Sequence, residues 1–205
     1  MAHPDILIAA AARPHPTEDV SGDVWHVDWR TNSCRIAVID GLGHGPDAWA
    51  AATRARGVLA EAPQAGAVEI LRRCHDALKG TRGAAVGIAT VEPTAGRVTY
   101  VGVGNVEARL VTPDRSTSLP SARGIVGSVL PTIRPVVAPL GTGWLLLIHS
   151  DGVSGRIDLT DLPTPDESDP QHLADAILAR WGRATDDATI IVACPAPSGG
   201  SRSSS

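Results

Sequence analysis

Short apolar segments, separated by turn-forming residues, recur along the chain and predict a protein rich in β-strands. Between them lie segments such as TNS, EPTAG and TPDRS, which have the composition of tight turns. We therefore expect most neighbouring strands to be antiparallel hairpin partners. The predicted strands cover residues 5–13, 23–30, 34–40, 84–92, 97–104, 106–112, 133–140, 144–150 and 188–194.

Apolar residues at helical spacing predict helices in three other segments. Residues 46–62 and 66–80 form two consecutive helices in this interpretation, and residues 171–182 form a third. Pro46 fits a first helical turn, where no backbone N–H is needed. Because the strands are grouped around a helix pair and do not alternate with helices, a layered α+β sandwich is favoured over a doubly wound parallel sheet.

The length of 205 residues suits one domain, which we place at residues 1–194. The remaining segment, 195–205, is of low complexity, and we expect it to be a disordered tail. The acidic, proline-bearing segment at 158–171 is predicted to be a surface loop.

Charge and composition exclude several function classes. The formal net charge of −4 gives no basic field for nucleic acid or anionic lipid, so we expect neither as a partner. No apolar run approaches the ~20 residues of a membrane span, and we expect a soluble, cytoplasmic protein. The three cysteines are widely spaced, which fits neither a disulfide framework nor a zinc site.

Acidic residues stand at the ends of four predicted strands. The strands at 34–40 and 144–150 each lead into an Asp-Gly pair. The strand at 23–30 begins with an acid, and the strand at 188–194 follows two acids. An Asp-Gly pair is also common in hairpin turns, so any single pair has an ordinary structural explanation. The segment DGLGHG, however, leads into a helix and not into a partner strand. The acids concerned are Asp23, Asp40, Asp151, Asp186 and Asp187.

Together these acids indicate a site for hard divalent cations. Carboxylates and backbone carbonyls are the ligands that Mg²⁺ and Mn²⁺ prefer, and no His- or Cys-rich spacing suggests zinc. Clustered acids repel one another unless cations neutralise them, and a pair of metals ~3.5–4 Å apart is a usual arrangement for hydrolysing phosphate esters. Glycine beside Asp40 would let the backbone approach a metal and present the Gly41 carbonyl as a ligand.

Several motifs in order resemble the metal-dependent PPM (type 2C) protein serine/threonine phosphatases. They are SGDVW, AVIDGLGHGPDA, GAAVGIATVEPTAGRVTYVGVGNVEARL, GIVG, LLLIHSDGVSG and DDATIIV, spread from about residue 5 to 194. Within that family the chain is most similar to the bacterial stage II sporulation E-type branch and its small, stand-alone RsbX-like members. The resemblance implies an αββα sandwich of two antiparallel sheets flanked by helix pairs, with the metal site in the cleft between the sheets.

The resemblance also assigns roles to residues. Asp40 would bridge two metal ions, either Mn²⁺ or Mg²⁺, and Asp151 and Asp186 would complete the ligands of the first ion. Asp23 and the Gly41 carbonyl would complete those of the second, and Asp187 ranks behind Asp186. His44 would support catalysis as a proton donor or as a group behind the ligands, although a histidine that only bonds nearby backbone at the helix entry fits equally. Arg13 lies roughly where eukaryotic relatives hold the phosphate, but its surroundings match their pattern poorly.

By resemblance, the protein would hydrolyse phosphoserine or phosphothreonine through a water activated by two metals. Its substrate would be a phosphorylated STAS-domain protein, either an anti-sigma-factor antagonist or a stressosome component in a partner-switching stress response. The alternative is a catalytically silent module of the same fold and pathway. A dinucleotide or S-adenosylmethionine loop is disfavoured because the glycines of DGLGHG have the wrong spacing. A serine hydrolase is disfavoured because HSDG lacks the G-x-S-x-G elbow.

Overall fold

The computed structural model describes the backbone of residues 2–3 and all of residues 5–158 and 169–197. In that part of the chain, the strands and helices are, in order, β1 (Ala2–His3), β2 (Ile6–Arg13), β3 (Asp23–Arg30), β4 (Ser33–Gly41), α1 (Pro46–Glu61), α2 (Ala67–Leu78), β5 (Ala84–Glu92), β6 (Arg97–Val103), β7 (Glu107–Thr112), β8 (Arg115–Leu119), β9 (Val136–Pro139), β10 (Leu145–His149), α3 (Pro170–Trp181) and β11 (Ala188–Pro195).

The strands form two antiparallel sheets. Sheet A has six strands in the order β1-β2-β11-β10-β7-β8, and sheet B has five in the order β3-β4-β5-β6-β9. Sheet B is largely a meander, in which β4, β5 and β6 each lie beside the strand before them. Sheet A is assembled from both ends of the chain, since β2 pairs with β11 along its whole length, from Ile6 opposite Pro195 to Arg13 opposite Ala188.

Side chains alternate between the two faces of each sheet, so each sheet contributes to two cores, one between the sheets and one under the helices. On β4, Ile36 and Val38 pack toward sheet A, whereas Ala37 and Ile39 pack against α1 and α2. Strand β10 is also buried on both faces, with Leu146 in the core between the sheets and its neighbours against α3. Burial on both faces explains why these strands read as continuous apolar runs.

Helix α1 approaches sheet B closely because its inner face is made of alanine. Ala48, Ala51, Ala52 and Ala55 are buried, together with Leu59. A Cβ on Gly41 would lie 2.1 Å from the carbonyl oxygen of Ala48, so only glycine permits this approach. The small-residue face of α1 therefore brings the start of the helix against the end of β4, where Asp40 stands.

The predicted α+β fold with two antiparallel sheets is confirmed. Helices α1 and α2 form a pair on sheet B, and α3 covers sheet A in the part of the chain that the structure describes. Two strands were not predicted, β1 and β8, and the strand predicted at 133–140 is shorter, spanning Val136–Pro139. Among the described residues, no helix is both long and apolar enough to cross a membrane.

Both segments predicted to be irregular lie mostly outside the described residues. This applies to 159–168 of the predicted surface loop and to 198–205 of the predicted tail. Pro195, where the tail was predicted to begin, is the last residue of β11, and the Ala196 N–H donates to the carbonyl of Asp5 at 3.1 Å. Strand β11 and its contact with Asp5 thus reach Ala196, two residues past position 194.

Candidate metal centre

Sheet B contributes two carboxylates that lie directly opposite each other. Asp23 begins β3, Asp40 is the penultimate residue of β4, and the two are partners in the antiparallel register. Antiparallel partners stand close together on one face of a sheet. The start of one strand and the end of the next therefore deliver both acids to the same edge of sheet B.

Sheet A contributes three acids from two adjacent strand ends. Asp151 follows β10 after Ser150, and Asp186 and Asp187 precede β11, which pairs with β10. The two loops touch at Gly152, where a Cβ would lie 1.8 Å from the carbonyl oxygen of Asp187. Glycine at this position is what allows the loops that carry the acids to meet.

A hydrogen bond joins an acid of sheet B to a strand end of sheet A. The Ser150 hydroxyl, at the end of β10, donates to Asp23 Oδ2 at 2.6 Å, and the backbone N–H of Thr189 donates to the same hydroxyl at 3.0 Å. All three residues are buried. Ser150 thereby fixes the position of Asp23 relative to β10 and β11 of sheet A.

Two further residues that sequence reasoning did not select hold other acids in place. Asn105, in the loop between β6 and β7, donates from its side-chain amide to Asp151 Oδ2 at 2.5 Å. The backbone N–H of His15 donates to Asp187 Oδ1 at 2.8 Å. The only signal for Asn105 was its place in the GVGN segment of a family-like motif, and nothing in the sequence pointed to the His15 N–H.

The acids share a strongly unfavourable electrostatic environment. Burial raises the pKa of Asp40 to about 9, and the charges of Asp23, Asp151, Asp186 and Asp187 act in the same direction. Burial also raises the pKa of Asp23 to about 7, against the opposing effect of the hydrogen bond from Ser150. The pKa of Asp186 is raised, first by burial and then by the charge of Asp151. The register of β3 with β4, the Ser150–Asp23 hydrogen bond and the contact at Gly152 bring the predicted acids together at one end of the two sheets.

Two buried carboxylate oxygens in the cluster have no hydrogen-bond donor. They are Asp40 Oδ2 and Asp187 Oδ2. A buried carboxylate oxygen without a donor is costly, and a cation is the usual compensation. The all-oxygen donor set likewise fits Mg²⁺ or Mn²⁺. Within 5–158 and 169–197, no group of three His, Cys, Asp or Glu side chains has the spacing of a metal ligand shell in this structure.

His44 and Arg13 lie beside the cluster and contact groups outside it. His44 Nδ1 is 2.7 Å from Glu18 Oε1, and its ring stacks on that of His15 with the centroids 4.4 Å apart. Neither contact of His44 is with nearby backbone. Arg13 Nη2 donates to the carbonyl of Arg183 at 2.6 Å, in the turn before Asp186. Arg13 therefore supports the loop that leads to the acids.

Comparison with known proteins agrees with this arrangement. The model of the stage II sporulation protein E (SpoIIE) family matches residues 30–195, which is most of the chain. The chain belongs to the SpoIIE family. Members of this family are PP2C-type phosphatases, and the chain is accordingly a protein phosphatase.

Individual relatives of this SpoIIE family member match two thirds or more of the chain. The phosphoserine phosphatase RsbX of Bacillus subtilis (strain 168) is 25% identical over 138 residues, covering 67% of this chain and 69% of RsbX. A chain from a solved structure of the bacterial stressosome is 30% identical, with a TM-score of 0.86 and coverage of 92% of this chain and 98% of the other. A structure of RsbX in complex with magnesium has the same fold, with a TM-score of 0.80, 21% identity and coverage of 95% and 98%.

Proposed function

We propose that this SpoIIE family member hydrolyses phosphoserine or phosphothreonine on a bacterial regulatory protein, with two divalent cations, Mn²⁺ or Mg²⁺, held by the acidic cluster. The observation that carries the proposal is the convergence of buried and half-buried, mutually repelling carboxylates from both sheets, with two buried oxygens that lack a donor. The relative named a phosphoserine phosphatase and the structure of RsbX with magnesium support the same chemistry.

In this proposal Asp40 would contribute to holding both ions. Asp151 and Asp186 would hold the first ion with Asp187 as a further ligand, and Asp23 and the Gly41 carbonyl would hold the second. When bound, such a pair of cations supplies an ionised water as the nucleophile and neutralises charge on the phosphoryl oxygens. No serine or cysteine nucleophile is then needed.

The remaining residues of the site act by positioning these ligands. Ser150 holds Asp23, Asn105 holds Asp151, and the His15 N–H holds Asp187. Such contacts behind the ligands orient the carboxylates and leave fewer rotamers to be ordered when cations bind. His44, paired with Glu18, is in this proposal a proton donor or a supporting group at the edge of the site.

The substrate class we propose is a phosphorylated STAS-domain protein, either an anti-sigma-factor antagonist or a stressosome component. Support comes from RsbX and from the stressosome structure to which the chain is similar. A cytoplasmic location and the organisation of residues 1–194 as one domain stay predictions from the sequence. The alternative, a catalytically silent module, is disfavoured because Asp23, Asp40, Asp151 and Asp186 are all present.

The test is release of phosphate from a panel of phosphorylated STAS-domain proteins of the same organism. We expect release with Mn²⁺ or Mg²⁺, none with EDTA, and none from Asp40→Asn or Asp151→Asn. Asp114→Asn, an exposed acid in the β7–β8 turn, is the matched control and should behave like the wild type. Activity that persists in EDTA or in both cluster variants would overturn the proposal, and an inactive protein that still binds a STAS partner with Mn²⁺ would favour the silent module.

A further inference from the structure

A groove runs beside the acidic cluster and is formed by two adjoining cavities. One, of about 240 Å³, is lined by Asp151 and Asn105 among others. The second, of about 360 Å³, is lined by Leu42, Arg123 and again Asn105. Because Leu42 follows Gly41 and Asn105 bonds Asp151, the groove borders the candidate metal ligands on both sheets. We call these two cavities together the substrate groove.

Arg123 is the arginine of the groove, and its charge is not neutralised by the described part of the chain. The residue is exposed, and it forms no hydrogen bond or ion pair with any described residue. Other arginines near the cluster have partners, since Arg13 donates to the carbonyl of Arg183 and Arg82 pairs with Asp47 at 2.9 Å. A cation that lines a groove without a partner remains available for an anionic ligand.

The backbone on both sides of Arg123 is fixed against the strand ends of sheet B. The Ala122 N–H donates to the carbonyl of Gly102 at 2.8 Å, and the Gly104 N–H donates to the carbonyl of Ala122 at 2.9 Å. On the other side, Val126 and Ala84 exchange two backbone hydrogen bonds of 2.9 and 3.0 Å. The backbone of Arg123 is thus held in place, which lowers the conformational entropy lost when its side chain binds a ligand.

The segment that carries Arg123 differs in charge from the rest of the chain. Residues 120–140 contain two arginines and no acid, whereas the whole chain has a formal net charge of −4. The same segment exposes an apolar side chain, Val129, whose surface is 62% accessible. The first cavity of the groove also carries the acids Glu107 and Asp151, but the rim formed by this segment is cationic and partly apolar and fits an acidic side chain of a bound peptide.

We infer that Arg123 binds an acidic side chain of the protein substrate next to the phosphorylated residue, and thereby determines substrate preference. This inference rests on the proposed phosphatase function. In that function the phosphoryl group is neutralised at the acidic cluster, so the groove arginine serves the neighbouring residues of the substrate. Arg123 is a specificity residue in this assignment and takes no part in the hydrolytic step.

The test compares two phosphoserine peptides of equal length, one with glutamates and one with alanines beside the phosphoserine, and p-nitrophenyl phosphate. With Arg123→Ala we expect KM for the glutamate peptide to rise about tenfold, as expected for one charge-assisted hydrogen bond, with kcat unchanged. Arg123→Glu should raise that KM further, because it places like charges opposite each other. Both variants should treat the alanine peptide and p-nitrophenyl phosphate as the wild type does.

Arg115→Ala is the matched control, because Arg115 is exposed on β8 at the far end of the β7–β8 hairpin. It should leave every KM unchanged. An unchanged KM for the glutamate peptide in Arg123→Ala overturns the inference, and so does an equal loss on p-nitrophenyl phosphate, which would indicate a role at the phosphoryl group or in folding.

A binding measurement separates this inference from the proposed function. Fluorescence anisotropy of the labelled glutamate peptide is measured on Asp151→Asn, with and without Arg123→Ala. Weaker binding of the double variant supports the inference even if the wild type proves inactive, and equal binding overturns it. Hydrolysis of p-nitrophenyl phosphate by the wild type, abolished by EDTA, tests the proposed function alone.

Discussion

Replacing Asp40 with asparagine should stabilise the metal-free protein while abolishing its activity. In the fold, burial and neighbouring carboxylates raise the pKa of Asp40 from 3.8 to about 9. Between those two values the folded state keeps a proton that the unfolded chain has released. The free energy of unfolding therefore falls as the pH rises through this range. An asparagine side chain at this position would be neutral at every pH and would escape this loss.

The size of the effect follows from the pKa shift. Between pH 3.8 and about 9 each pH unit costs the wild type on the order of 1 kcal/mol, so the loss is small at pH 5 and on the order of 4 kcal/mol at pH 7. Because a domain is stable by only about 5–15 kcal/mol in total, the gain at pH 7 would be a large fraction of the whole. Bound cations offset much of this loss in the wild type, since a ligand at 100 times its Kd stabilises the folded state that binds it by about 2.7 kcal/mol.

The assay is urea unfolding in EDTA at pH 5, 6, 7 and 8, repeated with Mn²⁺. The variant Asp40→Asn should exceed the wild type by a margin that grows with pH, and Mn²⁺ should raise the midpoint of the wild type alone. Asp114→Asn, whose carboxylate is exposed, controls for the chemical change and should follow the wild type. Parallel pH profiles of wild type and Asp40→Asn, or a less stable variant at pH 7 in EDTA, would refute the electrostatic reasoning.

Three other changes probe the contacts that position the ligands. Asn105→Ala should weaken Mn²⁺ activation at least about tenfold, measured by titrating activity with the metal, because the carboxylate of Asp151 loses its orienting amide. Ser150→Ala should lower the free energy of unfolding by about 2–3 kcal/mol in urea, because a buried hydroxyl that serves both sheets is lost. Gly152→Ala should lower the melting temperature and the activity together, since its Cβ meets a carbonyl oxygen at 1.8 Å, whereas Gly57→Ala in open space on α1 should stabilise the protein by about 0.5–1 kcal/mol. Unchanged metal affinity, unchanged stability, or equal melting temperatures of the two glycine variants would contradict the respective prediction.

Much of the fold was predictable because its signals are local. Strands such as β4 and β10 are buried on both faces, so they stand out in the sequence as apolar runs. Strand β8, with the sequence RSTSL, was missed because it lies at the edge of sheet A, where mostly polar side chains suffice. Strand β1 has only two residues and carries no pattern at all.

The candidate site divides in the same way. Its acids could be predicted because strand ends followed or preceded by Asp are visible in a single sequence. The contacts that hold them could not, because the partners are far apart in the chain: Ser150 meets Asp23 across 127 positions and His15 meets Asp187 across 172. The position of Arg13 was also beyond the sequence, since its partner is a backbone carbonyl that no side-chain pattern encodes.

The Ser150–Asp23 bond has a consequence for residues far from the acids. Because the proposed ligands belong to both sheets, their spacing depends on how one layer is aligned over the other. That alignment is set by the apolar side chains between the layers, such as Ile36 and Leu146. A substitution that shifts one layer over the other by a fraction of an ångström would change the spacing of the proposed ligands and therefore the turnover. The interior packing and the turnover of this enzyme should thus change together in evolution.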